Sequence, residues 1–300
     1  MKSKTFIDFI PKNETEIIYD DNNFNKIKYI TSGAYGKIYS AYSKNDKIYL
    51  CLKHIDINIM KEKYQELGFT KSYENDLNNE INLLKIFSPY KNSLKYYGNY
   101  NNKDEKIIIL EKCDEDLEKY MKKRNKSLNV EEIREIFKGL NKVFKEMNKQ
   151  NIIHRDLKLK NLFLKYKDDN KQKFIVKLGD YGIGKFLNKS NSISGFKGSN
   201  ETMAPEILLE NISKYDNLVD IFSLGVILYQ LSHNLNHPFD NNDAKRIFIY
   251  CSKFEQDNFD IQFDNSIENP DFKDLLKKML KLNPKNRLTW ENYFSHPFFK

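Results

Sequence analysis

The sequence predicts an α+β chain in two parts: a small antiparallel sheet with one main helix, then a larger, mainly helical region. Three observations carry that expectation. From Phe24 to Leu110, short strand-like runs are separated by glycines and polar turns. After Cys113, apolar residues recur at helical spacing. Finally, "LVDIFSLGVILYQLS" (218–232) is apolar almost all round, as a helix at a domain centre is.

The elements follow in order. "FNKIKYITSGAYGKIYSAYS" reads as two alternating strands around Gly33 and Gly36, and "KIYLCLKHI" as a third. In "YENDLNNEINLLKIF", Leu77, Ile81, Leu84 and Phe87 share one helical face. The preceding "IMKEKYQELGFTKSYEND" reads as a helical insertion, and "LKYYGNY" and "KIIILE" as two more strands. In "NVEEIREIFKGLNKVFKEMNKQ", Ile133, Ile136, Phe137, Leu140, Phe144 and Met147 line one face. There Asn129 and Glu132 have capping-box spacing. "FKDLLKKMLKL" and "TWENYFSHPFF" complete the helical part. The expected boundaries are an extension over 1–23 and one domain over 24–300. Within that domain the small lobe runs to about 110, the hinge over about 111–116 and the large lobe from about 117. Cofactor clefts commonly lie at such junctions.

Composition narrows the function classes. Hydrophobic residues make up 40% and charged residues 31% of 300, enough for a core and a solvated surface. No apolar run reaches membrane-spanning length. The first residues make a poor secretory signal. Cys51, Cys113 and Cys251 have neither zinc-site nor disulfide-framework spacing, so a reducing, intracellular setting is expected, the cytoplasm first, with the nucleus as the lesser alternative. Net charge is +8, yet the arginines are only Arg124, Arg134, Arg155, Arg246 and Arg287. Dispersed lysines among acids and asparagines are a solvated surface, so no specific nucleic-acid partner is expected.

The chemistry concentrates in a few stretches. In "TSGAYGKIY", Gly33 and Gly36 let backbone N–H groups approach a phosphate, a weak signal because glycines also make ordinary hairpins. Lys53 lies in the third strand, with Glu80 on the next helix as an available carboxylate. "HRDLKLKN" is sharper: His154, Arg155 and Asp156 interrupt two apolar runs, and Asn161 follows five residues after Asp156. Unpaired charge among buried neighbours is costly, so such a cluster belongs on a loop with partners or a ligand. Asp180 in "VKLGDYG" supplies a second hard oxygen donor that, with Asn161, suits magnesium. "MAPE" (203–206) lies further on.

Taken in order, the glycine loop, "LCLK", "HRDLKLKN", "DYG" and "APE" resemble the protein-kinase signature set, over about Phe24 to Phe299. The resemblance implies the bilobal protein-kinase-like fold, and with it a monomeric serine/threonine protein kinase using ATP and Mg2+ on Ser/Thr hydroxyls of protein substrates. It implies that Lys53 contacts the α- and β-phosphates and pairs with Glu80. Asp156 then orients or deprotonates the acceptor hydroxyl, Lys158 neutralises the moving phosphoryl group, and Asn161 and Asp180 hold the metal ions. The nucleotide would meet Thr31, Gly33 and Gly36 at its phosphates. Ile38, Cys51 and Phe163 would meet the adenine, with Leu110 behind it and the backbones of Glu111 and Cys113 at the hinge. Asp220 would brace the catalytic loop, and Arg287 would pair with Glu206. Lys158 fits the serine/threonine pattern, and Ser199 stands where threonine is usual. Lys160 stands where kinases that select basic residues often carry glutamate, which argues against a preference for arginine upstream of the acceptor. Ile183 points to threonine as acceptor. Arg155 and Lys185 point to an activating phosphoserine at Ser194, with Ser192 and Ser190 as further candidates.

Two departures keep other readings open. Thr31 replaces the first loop glycine and Tyr181 replaces phenylalanine, so a pseudokinase scaffold that binds nucleotide without turnover is the alternative. A small-molecule kinase is a third reading, though such enzymes typically lack the "APE" segment and the Asp220 helix.

Overall fold

The computed structural model describes residues 23–33, 35–66, 73–101, 103–182, 184–186, 200–208, 215–257 and 259–300. The chain divides into two compact units, one ending at Asp114 and one beginning at Glu115. The expected sites at Ile183, Ser190, Ser192, Ser194 and Ser199, and the extension up to residue 22, lie outside the described residues.

The first unit is a five-stranded antiparallel sheet in the order β1-β2-β3-β5-β4. Its strands are β1 (Phe24–Gly33), β2 (Gly36–Ser43), β3 (Ile48–Asp56), β4 (Tyr96–Asn101) and β5 (Glu105–Glu111). Side chains alternate across a sheet, so Leu50 and Leu52 of β3 share a face with Ile107 and Ile109 of β5. With Phe24 and Ala41 these residues form a buried cluster. Helix α1 (Ile57–Glu66) occupies the expected insertion, and α2 (Tyr73–Phe87) buries Leu77, Ile81, Leu84 and Phe87 as its spacing requires. Gly36 is fixed by crowding: a Cβ there would lie 1.9 Å from the His54 carbonyl oxygen. One expectation changes. Strand β1 does not alternate between core and solvent, because Lys26 to Gly33 are exposed, Ile27 by 57% and Tyr29 by 52%. It is an edge strand, and its register slips twice against β2, so only Phe24 of its residues reaches the cluster.

The second unit is mainly helical. Strands β6 (Glu115–Asp116), β8 (Leu162–Tyr166) and β9 (Phe174–Leu178) form one small sheet. Strands β7 (Ile152–Ile153) and β10 (Lys185–Phe186) form another. Helix α4 (Val130–Lys149) starts at the Asn129–Glu132 capping box, with both reciprocal bonds at 2.8 Å. Helices α5 (Pro205–Leu208) and α6 (Leu218–Ser232) follow. In α6 every residue from Val219 to Ser232 is buried. There Gly225 admits α8 (Pro270–Met279) and the residue after it, since a Cβ would come within 2.9 Å of Leu280. Helix α9 (Trp290–Ser295) closes the unit. Two helices have too little pattern to be read in advance: α3 (Leu117–Arg124), which buries only Leu117 and Met121, and α7 (Asp243–Lys253).

Candidate active site

The "HRDLKLKN" residues all fall in the second unit. Strand β7 ends in two buried isoleucines, and the chain then enters "HRDLKLKN" with Arg155 at φ 67°, a left-handed conformation that side chains disfavour. Asp220, in the first turn of α6, holds that conformation. Its carboxylate accepts the His154 N–H at 2.7 Å and the Arg155 N–H at 2.9 Å. Burial pushes the Asp220 pKa up, and the nearby His154 and Arg155 with their N–H groups only partly offset that. The Arg155 guanidinium lies 3.4 Å from the Tyr215 hydroxyl.

His154 is fully buried and its bonding pattern assigns its tautomer. Nδ1 accepts the Asp156 N–H at 3.4 Å, so Nε2 carries the proton and donates to the Gly179 carbonyl at 3.2 Å. The buried Tyr181 ring packs against it with centroids 5.3 Å apart. Gly179 in turn donates its N–H to the Asn161 carbonyl at 3.0 Å, which ties the end of β9 to the catalytic loop. Asp180 follows in a left-handed conformation, φ 57°, that a short polar side chain tolerates.

Asp156 Oδ2 accepts from Lys158 Nζ at 2.7 Å and from Asn161 Nδ2 at 3.0 Å. Asn161 Nδ2 also donates to the Asp156 carbonyl at 2.7 Å. The amide nitrogen is thus committed to Asp156, and Oδ1 is the atom Asn161 has for a cation. Asn161 and Asp180 make a set of two hard oxygens. That fits magnesium, which keeps water and phosphate oxygens as its remaining ligands. Among the described residues no group of three or more His, Cys, Asp or Glu side chains has metal-site geometry.

In the first unit, Lys53 Nζ of β3 lies 2.5 Å from Glu80 Oε1 of α2. The strand register pairs Thr31 with Ile38, Ile38 with Lys53 and Cys51 with Leu110. Opposed residues share a face, so Thr31, Ile38, Cys51, Lys53 and Leu110 lie on the face opposite the Leu50–Ile109 cluster. Gly33 and Gly36 face each other at the closing turn. The Glu111 N–H donates to the Lys95 carbonyl at 2.8 Å, and Cys113 follows beyond the end of β5. Phe163 belongs to the other unit, on β8 opposite Asp116 and Lys177. Burial pushes the Cys51 thiol up to about 11, with Lys53 and Lys112 pulling partly back, so it behaves as a small hydrophobe.

Arg287 meets Glu206 through two bonds, 2.6 and 2.9 Å, with both side chains buried. Sequence reasoning missed Tyr215 and the Gly179 carbonyl. Neither carries a motif signal, since one is a lone tyrosine and the other acts through its backbone.

A family model described as protein kinase domain matches residues 24–299. Curated relatives agree. Residues of this chain are 30% identical over 282 positions to the probable serine/threonine-protein kinase nek3 of Dictyostelium discoideum, covering 92% of this chain and 23% of that protein. Similarity to serine/threonine-protein kinase ATG1a of Arabidopsis thaliana is 29% over 275 positions, covering 90% and 41%. For mouse Nek5 it is 26% over 282 positions, covering 93% and 41%. The chain therefore spans between 23% and 41% of the length of these relatives. The chain belongs to the protein kinase family, and its similarity is to serine/threonine-type members.

Proposed function

We propose that this domain is an active serine/threonine protein kinase that moves the γ-phosphoryl group of ATP to Ser or Thr hydroxyls of protein substrates. The observation that carries the reading is the Asp156 carboxylate, clasped by Lys158 and Asn161 on a loop anchored to Asp220. Phosphoryl transfer needs positioning and charge neutralisation more than covalent chemistry. Asp156 orients the acceptor hydroxyl and takes its proton as the oxygen–phosphorus bond forms. Lys158 neutralises charge on the transferring group while the bond to the leaving oxygen of ADP breaks. Lys53, oriented by Glu80, holds the α- and β-phosphates. Asn161 and Asp180 are the residues that would hold magnesium, which when bound neutralises phosphate charge. Thr31, Gly33 and Gly36 cover the phosphates. Ile38, Cys51, Leu110 and Phe163 take the adenine, and the backbones of Glu111 and Cys113 bond its edge. Residues 24–300 make up the kinase domain.

The acceptor is a protein hydroxyl, threonine by preference if Ile183 acts as the family resemblance implies. Three free cysteines support a reducing, cytoplasmic setting. Among the described residues no helix is long and apolar enough to cross a membrane. Phosphorylation at Ser194, or at Ser192 or Ser190, is the proposed activating event.

Incubating the purified chain with magnesium and ATP, with and without a general substrate, tests this by intact mass and phosphopeptide mapping. Phosphate gain on substrate or on the chain supports turnover. Nucleotide binding without any phosphate transfer assigns the domain to the scaffold class that Thr31 and Tyr181 keep open.

A further inference from the structure

Beside the catalytic loop the second unit keeps its negative charge inward and its positive charge outward. Residues 115–126, "EDLEKYMKKRNK", hold five basic and three acidic side chains. The acids Glu115, Asp116 and Glu118 are only 11%, 11% and 18% exposed. Their lysine partners Lys123, Lys119 and Lys122 are 71%, 60% and 61% exposed. Two of the acids also bond the fold itself. Asp116 caps α3 through the Lys119 N–H at 2.9 Å, and Glu115 accepts from the Tyr166 hydroxyl at 2.7 Å. Burial alone would raise the Glu115 pKa, but hydrogen bonds from Lys123 and Tyr166 bring it below the usual range, so it stays ionised.

The loop itself joins this arrangement. In the 3-10 turn Leu159–Asn161, Leu159 and Asn161 are buried while Lys160 between them is 60% exposed. Lys160 Nζ lies 3.8 Å from Glu118 Oε2, the same oxygen that meets Lys122 at 3.2 Å. One recessed carboxylate therefore gathers two solvent-facing ammonium groups, one of them on Lys160, four residues after Asp156. Exposed ion pairs of this kind are weak, so an incoming carboxylate or phosphate can compete for the lysines at little cost. Lysine suits that exchange, with a long stem and three rotatable donors.

We propose that Lys160 and Lys122, with Lys119 and Lys123 beside them, read acidic side chains flanking the acceptor hydroxyl, so that the domain selects acidic protein segments. The proposal rests on the kinase reading above, because that reading puts the acceptor segment at Asp156. Nucleic acid suits the surface less well: its one arginine, Arg124, is tied to Glu132 and Tyr120.

The test uses matched peptides with one Ser/Thr acceptor flanked by Asp and Glu, by Ala, or by Lys. Two measurements run in parallel: kcat/KM with ATP, and fluorescence anisotropy of each peptide on the purified chain. The acidic peptide should exceed the alanine peptide by about fivefold at low salt, shrinking to under about twofold at 0.5 M salt. The double change Lys122→Glu with Lys160→Glu should reverse the ranking of acidic and lysine peptides, a ratio that does not depend on overall activity. Turnover with no acidic preference, or a preference the double variant leaves intact, overturns the proposal and leaves the kinase reading standing. Charge-dependent binding that the double variant abolishes, without turnover of any peptide, sinks the kinase reading and keeps the acid-reading surface. A mixed-sequence oligonucleotide binding more tightly than the acidic peptide, with the same loss in the variant, assigns the surface to nucleic acid and overturns the proposal.

Discussion

Each unit contains a lysine- or arginine-to-glutamate pair drawn from distant parts of the chain, and the two pairs are built for different work. In the helical unit Arg287 meets Glu206 through two bonds with side chains 0% and 2% exposed. Its remaining donors reach the Lys281, Leu218 and Leu282 carbonyls, and its Cζ lies 5.0 Å from the Phe222 ring centroid. Everything the guanidinium can donate is committed to protein. In the sheet unit Lys53 meets one oxygen of Glu80, and its side chain is 24% exposed. The first pair braces a fold. The second, on the proposed function, orients a cation toward a ligand. Equal formal charges thus sit at different depths, and on the proposed function the deeper pair is a brace and the more exposed one a tool.

The largest effect should come from breaking the brace. Arg287→Ala leaves Glu206 as an uncompensated buried charge, and such losses cost about 3–5 kcal/mol. Urea unfolding should show that drop. An Arg287→Ala protein with wild-type stability would break the comparison at its first term.

Next comes the chemistry. Asp156→Asn should lower kcat by about a hundredfold or more while ATP affinity stays within about threefold, since the change removes the group that orients the hydroxyl. Lys53→Met should lower activity to a similar degree yet cost only about 1–2 kcal/mol in stability, because the Lys53 side chain is partly solvated. Glu80→Gln should act through Lys53, so the double variant should be little worse than the poorer single. Additive losses in kcat/KM would show that the 2.5 Å contact does not serve the reaction, and equal destabilisation by Lys53→Met and Arg287→Ala would erase the distinction between brace and tool.

How far these pairs were legible in the sequence depends on where the information sits. The Asn129–Glu132 capping box and the buried stripe of α2 are local patterns, and the folded chain keeps both. The kinase motifs were legible because their chemistry fixes residue types at short spacing. What stayed hidden is non-local or against type. Helix α7 buries Arg246 and Tyr250 and leaves Phe248 71% exposed, the reverse of what residue type predicts. Strand β1 carries Ile27, Tyr29 and Ile30 in an alternating pattern that reads as half-buried, yet the sheet leaves them exposed at its edge. Arg155 and Asp180 take left-handed conformations that no motif announces, because the partners imposing them, such as Asp220, lie 65 residues away in the Arg155 case.

The smallest effect concerns the braces of the helical unit in mild acid. His237 is buried, with Nε2 bonded to the Glu201 carbonyl at 2.9 Å and Nδ1 accepting the Phe239 N–H at 3.2 Å. Only the neutral imidazole satisfies both bonds, and a second ring proton would point at a donor. Burial, helped by the nearby Arg246 charge, pulls its pKa from 6.5 down to about 3, against the Glu201 bond and Asp240. The unfolded chain therefore binds this proton near pH 6.5, and the folded chain only near pH 3. Stability from the neutral ring is complete above pH 6.5 and is lost as pH falls from there toward about 3. At pH 5 the loss amounts to about 2 kcal/mol, from 1.36 kcal/mol per pH unit over roughly 1.5 units. His237→Gln has no such proton to bind, so its unfolding free energy should fall about 2 kcal/mol less than the wild type between pH 7.5 and pH 5, whatever its starting value. Hydrogen exchange at the two pH values should show the wild-type loss in peptides carrying Glu201 and Phe239. Parallel pH slopes for the two proteins would mean that His237 is charged in the fold, and that this part of the helical unit is held by something other than a neutral imidazole.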